Sequence, residues 1–216
     1  MRTPREDLLP PSERLRVLAL DVTKPDNIET ALAASGPIDV LVNNAGIGLI
    51  GVLEATPMER VRAIFETNTF GVMAMTKAVI PQFRERRSGV VVNVTSSVTL
   101  ADMPLASIYT ASKTAIEGFT GSLAFELRDF NVKVKLVEPG YGPTTRFSQN
   151  SDFRIEDMIL EPYWPFARPI FDSFTQQVVV TKESDVAEAV WQAANDDSEQ
   201  LRFPAGPDAV ALAQSK

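Results

Sequence analysis

The sequence predicts an α/β fold, a Rossmann-like doubly wound parallel sheet with helices on both faces, in three αβα layers. Short β-rich runs alternate with helical patterns of roughly 10 to 20 residues, which is the order of βαβ units. Polar or glycine-containing segments follow the ends of several apolar runs, where open parallel sheets bind ligands. The chain has 216 residues, 44% of them hydrophobic, and we expect residues 1–216 to form a single domain.

The apolar runs and the three-to-four periodicity place each element in turn. Buried strands are predicted at residues 16–22, 38–43, 90–94 and 132–137, with a short last strand at 201–204. Helices are predicted at residues 25–34, capped by Thr23, at 56–87 with a break near Asn68, at 107–129 and at 184–195.

Residues 147–180 differ from the βα pattern. The stretch 147–174 contains seven of the 17 aromatic residues and is rich in proline, which indicates an inserted lid over a substrate site. An aromatic lid favours an apolar substrate. The alternative is that these aromatic side chains pack the helices onto the sheet.

Composition excludes several classes of chemistry. The chain has no cysteine and no histidine, so disulfides, thiol catalysis and histidine general bases are excluded, and we predict no metal site. A net charge of −7 argues against nucleic-acid partners. The absence of a long apolar run or a secretory leader predicts a cytoplasmic protein that does not bind membranes.

Tyr109 and Lys113 are the leading acid-base candidates in a chain without histidine. Their spacing places a phenol and an ammonium one above the other on a helix face. A cation beside a phenol favours the phenolate and lowers the pKa of the tyrosine towards the working range. The alternative is an ordinary surface Tyr–Lys pair.

The surrounding motifs make this chain similar to the short-chain dehydrogenase/reductase family. They are Asn43-Asn44-Ala45-Gly46, Asn68, Ser96 thirteen residues before Tyr109, Lys113, and Pro139-Gly140 with Thr144. They occur in the family's order and spacing, and the resemblance covers residues 16–146 strongly. It implies that residues 1–216 are a single dinucleotide-binding and catalytic domain. The implied reaction is hydride transfer between NAD(P)(H) and an alcohol or carbonyl substrate.

The resemblance also implies a role for each catalytic residue. Tyr109 would exchange a proton with the substrate oxygen, and Lys113 would lower the pKa of Tyr109 and hold the nicotinamide ribose. Ser96 would bind the substrate oxygen, with Ser97 as its rival and a capping role as the alternative. Asn68 would hold a water that connects Lys113 to a proton relay.

A second group of residues would bind the cofactor. Asp21 would contact the adenine, with a turn or cap role as its alternative, and Asn43 would tie neighbouring strands as well as touch the cofactor. Thr144, or else Thr145, would reach the nicotinamide. The full set is Asp21, Asn43, Ala45, Gly46, Tyr109, Lys113, Pro139, Gly140 and Thr144.

The chain departs from the family pattern at its start. Gly36 is its first glycine, so the first strand, the glycine-rich turn and the second strand of the family are expected to be missing. Residues 16–22 would then lack a neighbouring strand. Either a misplaced gene start or a true truncation explains this. Arg2 or Arg5 near the adenosine ribose would slightly favour NADP over NAD.

Two further functions remain open on the sequence. One is a non-catalytic, truncated chain of the same family with impaired cofactor binding, which pairs with other subunits. The other is an epimerase or dehydratase on a similar fold. Residues 68–87 and 107–129 resemble the family's dimer-forming helices, so a homodimer or homotetramer is expected.

Overall fold

The computed structural model describes residues 12–145, 155–176 and 178–215. Its strands are β1 Val40–Asn43, β2 Gly89–Val94, β3 Val132–Pro139 and β4 Arg202–Ala205. Its helices are α1 Pro25–Ser35, α2 Met58–Phe65, α3 Gly71–Arg86, α4 Ser107–Leu127, α5 Trp164–Thr175, α6 Glu183–Asn195 and α7 Pro207–Gln214.

The four strands form one parallel sheet in the order β1-β2-β3-β4. The register pairs Asn43 with Asn93 and Val94 with Val137, so the carboxyl ends of β1, β2 and β3 lie side by side. Among the described residues β1 is an edge strand, and Val40 and Val42 are 38% and 39% exposed. The side of the sheet that ends in β1 is therefore partly exposed.

Helices cover both faces of this sheet, which confirms the predicted three layers. On one face, α1, α3 and α4 contribute the apolar cluster Ile28, Met75, Val79, Phe83, Leu123 and Leu127 against Leu41, Val91, Val132 and Val134. On the other face, α6 contributes Ala189 and Ala193 against Val92, Val94, Val137, Phe203 and Ala205. Consecutive valines of β2 therefore enter opposite cores, as expected for a strand buried on both faces.

The predicted strand at residues 16–22 is wrong, because the structure assigns no strand there. A buried strand needs a neighbour to accept its ladder hydrogen bonds, and this segment has none in the described sheet. Leu20 and Val22 pack instead against the core beneath α1 and α3. Thr23 does not cap α1 either, because the N-cap residue is Lys24.

The helix break expected near Asn68 is a π-helical turn, Glu66–Phe70, between α2 and α3. A π turn inserts an extra residue into the helix and rotates the side chains beyond it, and such turns are frequent at functional sites. Here it buries Thr67, Asn68 and Thr69 beneath the carboxyl edge of the sheet.

Residues 155–176 pack over the loop that follows β1. Val52 N–H in this loop donates to Met158 O at 3.0 Å. The neighbouring Gly51 N–H donates to Leu105 O, just before α4, at 2.7 Å. Tyr163 donates its phenol hydrogen to Glu54 Oε2 at 2.8 Å. Residues 147–154 and 177 of the predicted lid lie outside the described residues, as do residue 146 and residues 1–11 with Arg2 and Arg5. Among the described helices, none has the length and hydropathy needed to span a membrane.

Candidate active site

The predicted catalytic residues meet at the carboxyl edge of the sheet. Ser96 follows β2 and begins the short 3₁₀ turn Ser97–Thr99, while Tyr109 and Lys113 lie in the first two turns of α4. Asn68 arrives from the π turn. Three different elements therefore supply the four side chains, as ligand sites at strand ends require.

Tyr109 is buried, with 7% of its surface exposed, and its side chain hydrogen-bonds Ser96. Burial raises the pKa of Tyr109 to about 12, and the hydrogen bond from Ser96 offsets only part of this rise. Loss of solvation is the largest cause of this shift, and the lowering of the pKa by Lys113 stays a prediction. With this pKa, Tyr109 is a neutral phenol at pH 7.

Ser96 has two interactions in the structure. Besides binding Tyr109, its Oγ accepts a long hydrogen bond of 3.4 Å from Val98 N–H and so caps the 3₁₀ turn. The substrate-binding and capping interpretations of Ser96 are thus compatible. Of the two candidate serines, Ser96 is the one that hydrogen-bonds Tyr109.

Lys113 is 4% exposed and donates to Val94 O at 3.0 Å. Its Nζ lies 6.0 Å from the centre of the Tyr109 ring. Burial lowers the pKa of Lys113 to about 8, and the nearby Glu117 carboxylate opposes this fall. Because an ammonium has three N–H groups, the bond to Val94 leaves donors that suit the two hydroxyls of a ribose.

Asn68 is fully buried and binds the loop after β1 through both ends of its amide. Its Oδ1 accepts from Ile47 N–H at 2.9 Å, and its Nδ2 donates to Ile47 O at 2.9 Å and to Ser112 Oγ at 3.2 Å. Ser112 in turn donates to Tyr109 O at 2.7 Å. Asn68 therefore fixes the loop against the helix that carries Tyr109.

The Asn43–Gly46 segment lies close to this cluster. A Cβ on Gly46 would lie 3.4 Å from Lys113 Nζ and 3.5 Å from Asn68 Oδ1, so glycine keeps the space above the ammonium open. Ala45 is exposed beside it. This opening, together with the spare donors of Lys113, fits the ribose of a dinucleotide.

Asn43 ties strands together, as the sequence predicted. Its Nδ2 lies 2.8 Å from Asn93 Oδ1 on β2 and 3.0 Å from Thr76 Oγ1 on α3. Asn43 is 7% exposed. Its contact with a cofactor remains a proposal.

The other predicted cofactor residues lie in separate local structures. Asp21 Oδ1 accepts from the Thr23 amide at 3.0 Å and from its hydroxyl at 2.7 Å, which is the turn arrangement anticipated as the alternative. Pro139 ends β3, and Gly140 N–H donates to Ala205 O at 3.0 Å. Thr144 donates to Glu183 Oε1 at 2.9 Å and not to a member of the catalytic cluster.

The sequence interpretation missed two acidic residues around this site, Glu117 and Asp208. Glu117 lies one helical turn beyond Lys113, so the same four-residue spacing that links Tyr109 to Lys113 contains the signal for it. Asp208 accepts hydrogen bonds from Tyr141 N–H at 2.7 Å and from Thr181 Oγ1 at 2.5 Å, and so holds the loop after β3. No local pattern in the sequence indicates this role of Asp208.

Comparison with known proteins bears on the family of this chain. The family described as short chain dehydrogenase matches residues 5–154. An uncharacterised oxidoreductase of Schizosaccharomyces pombe is 34% identical over 215 residues, covering 95% of this chain and 88% of the relative. Retinol dehydrogenase 8 of Homo sapiens is 42% identical over 129 residues, which cover 59% of this chain and 42% of that protein.

Solved structures give the same result for the fold. A short-chain dehydrogenase from Streptomyces avermitilis is 33% identical with a TM-score of 0.77, covering 92% of this chain and 72% of that one. A short chain dehydrogenase from Burkholderia cenocepacia in complex with NADP is 25% identical with a TM-score of 0.68, and the same two shares are covered. By its motifs, its sheet and these matches, the chain belongs to the short-chain dehydrogenase/reductase family.

Proposed function

We propose that this chain is an NAD(P)(H)-dependent oxidoreductase that interconverts a small-molecule alcohol and its carbonyl compound, with Tyr109 as the acid-base group. The observation that carries the proposal is the buried cluster in which Ser96 hydrogen-bonds the Tyr109 phenol and Lys113 lies one turn further along α4. Family membership supports hydride transfer in general, and the arrangement of these side chains supports the specific roles.

The residues of the chain divide the work as follows. Ser96 orients the substrate oxygen beside the Tyr109 phenol, which donates its proton to that oxygen when a carbonyl is reduced. In the reverse direction the phenolate accepts the proton from the alcohol. Lys113 holds the ribose hydroxyls through its spare N–H donors. The nicotinamide, when bound, supplies or accepts the hydride.

The protonation of Tyr109 defines its starting state in each direction. Burial raises the pKa of the phenol to about 12, so Tyr109 carries its proton at pH 7. Reduction of a carbonyl uses this proton directly, whereas oxidation of an alcohol needs the phenolate.

NADP or NAD is the proposed cofactor. The Burkholderia cenocepacia relative was solved with NADP, which supports NADP. Saturation titrations with NADPH and NADH on the 216-residue chain test this proposal directly. An absence of binding at millimolar cofactor would favour the second candidate, a non-catalytic partner chain, for which the unformed strand at residues 16–22 is the supporting observation.

The test of the chemistry is Tyr109→Phe. This variant should lose turnover while its affinity for cofactor is retained, because the phenol hydroxyl acts on the substrate. Ser96→Ala and Ser97→Ala form a matched pair, in which we expect only Ser96→Ala to lower kcat strongly. Equal activity in Tyr109→Phe and wild type would refute the assigned acid-base group.

The proposed substrate is apolar, and the lid is residues 147–180. Trp164 and Phe171 contact each other at 6.3 Å and pack on a cluster with Val52 and Leu105, which agrees with the packing alternative. Phe166 on α5 is 55% exposed, which supports the lid. Retinol dehydrogenase 8 is named for an apolar alcohol, which supports an apolar substrate. A comparison of kcat/KM for a long aliphatic and a short polar ketone tests the preference.

We also propose assembly into a homodimer or homotetramer through α3 and α4. Phe70 and Phe125, beside and on these helices, are 53% and 70% exposed. Light scattering on the purified chain measures the assembly, and a monomer at all concentrations would contradict it.

A further inference from the structure

Glu117 is a buried carboxylate with no role in the chemistry described above. It is 8% exposed and lies on α4 one turn beyond Lys113. Its Oε1 lies 2.7 Å from Thr95 Oγ1 and 3.1 Å from Thr99 Oγ1. These two threonines stand on either side of Ser96, so one carboxylate holds the Ser96 segment against the helix of Tyr109 and Lys113.

Glu117 also takes part in an ion pair on the side away from Lys113. Its Oε2 lies 2.5 Å from the guanidinium of Arg202 on β4, whose side chain is 47% exposed. Arg202 forms a second ion pair with the fully buried Glu138 on β3. Two buried carboxylates thus share one half-exposed guanidinium.

Other elements around Lys113 contribute neutral groups among the described residues. The carbonyl of Val94 on β2 accepts a hydrogen bond from the Lys113 ammonium. The amide of Asn68 on the π turn and the Lys113 ammonium both lie near Gly46. On α4 itself the neighbouring titratable groups are Tyr109, which is neutral at pH 7, and Glu117. The negative charge next to Lys113 therefore comes from Glu117.

We propose that Glu117 is a positioning residue that holds the Ser96 segment against the helix of Tyr109 and Lys113 and places a carboxylate one helical turn from the Lys113 ammonium. The charge acts because an anion near a buried ammonium offsets the desolvation of the charged form. The positioning acts through the hydrogen bonds to Thr95 and Thr99. The inference rests on the proposed function for its consequence in catalysis, but the charge effect exists without cofactor or substrate.

The direct test is the pKa of Lys113 in Glu117→Gln, followed through the ¹³Cε signals of the seven lysines and assigned with Lys113→Arg. Glutamine keeps the shape of the side chain and removes its charge. We expect the pKa of Lys113 to fall by about one unit. Glu126→Gln, the same substitution on the exposed side of α4, should leave it unchanged.

A second variant keeps the proposal testable if Glu117→Gln does not fold. Arg202→Gln removes the cation that neutralises Glu117, so the pKa of Lys113 should rise. An unchanged pKa of Lys113 in the folded variants overturns the proposal. These measurements need no turnover, so a chain that binds no cofactor refutes the proposed function without deciding this inference.

Activity adds a second readout where the wild type turns over. Glu117→Gln should move the alkaline limb of the pH profile of kcat/KM to lower pH, and Glu117→Asp, which keeps the charge, should restore it. A uniform loss of activity at every pH, with no movement of the limb, would indicate a merely structural role and contradict the proposal.

Discussion

The buried ammonium of Lys113 should make the stability of this chain rise with pH above neutrality. Burial lowers the pKa of Lys113 from 10.5 to about 8 in the folded state. The folded chain therefore releases this proton at lower pH than the unfolded chain does. Because the unfolded chain then binds more protons, the free energy of unfolding increases as the pH rises from about 8 to about 10.5.

The size of the effect follows from the two pKa values. Their difference is equivalent to about 3 kcal/mol that the folded state loses at pH 7 by keeping the lysine charged. Between about pH 7 and about pH 9.5, linkage gives a rise in stability of about 2 kcal/mol. The pKa of Tyr109 is raised in the folded chain, so this residue lowers the free energy of unfolding as the pH rises. That decrease falls mainly between pH 10 and about 12, above this window.

Urea unfolding of wild type and Lys113→Met at a series of pH values measures this effect. Methionine has a similar length and no charge, so the variant should lose the pH-dependent rise. At pH 7 the variant avoids the cost of burying a charge, which raises its free energy of unfolding. It also leaves Val94 O without a donor, which lowers the free energy of unfolding by about 1–3 kcal/mol. The slope against pH, rather than the value at one pH, therefore decides.

Lys77→Met, at an exposed position of α3, is the matched control and should keep the wild-type rise. Parallel stability curves for wild type and Lys113→Met across the window would refute the reasoning. They would mean that Lys113 titrates alike in the folded and unfolded chains and is not buried as described.

Four further substitutions test the hydrogen bonds and the packing around the site. Asn68→Ala should lower the free energy of unfolding by about 2–4 kcal/mol, because both backbone groups of Ile47 lose their partner; an unchanged urea midpoint would contradict this. Gly71→Ala should destabilise, since its Cβ would lie 2.7 Å from Val22 Cγ2, whereas Gly118→Ala, with open space, should stabilise by about 0.5–1 kcal/mol. Asp208→Ala should cost about 1–3 kcal/mol, because the Tyr141 amide loses its acceptor and the Thr181 hydroxyl keeps only Ala205 O; equal thermal stability would exclude this anchor.

The sequence predicted the elements whose signals are local. The apolar runs at 90–94 and 132–137 are strands within two residues of the predicted bounds, and the long periodic pattern from Ser107 is α4. Residues 16–22 are as rich in apolar residues as those strands but form none. Strand formation depends on a partner that can lie far away in the sequence, so an apolar run alone does not determine it.

Spacing predicted which catalytic side chains come together, but not their protonation. The four-residue interval of Tyr109 and Lys113 correctly placed both on one face of α4. The pKa of Tyr109 depends on how deeply the phenol is buried compared with how near the cation lies, and burial prevails here. Depth is a property of the assembled elements, which the helix periodicity does not contain.

A line of buried amides and hydroxyls explains how four elements keep the site in register. It runs from Thr76 on α3 through Asn43 on β1 and Asn93 on β2 to Thr120 on α4, with hydrogen bonds of 3.0, 2.8 and 2.9 Å. Apolar side chains of similar volume would fill this space, but they would also accept a shift of a strand or helix by one position. Each amide here has a specific partner, so such a shift would leave buried polar atoms unpaired. The network therefore fixes β1 and β2 relative to α4, and with them the distances among Ser96, Tyr109 and Lys113.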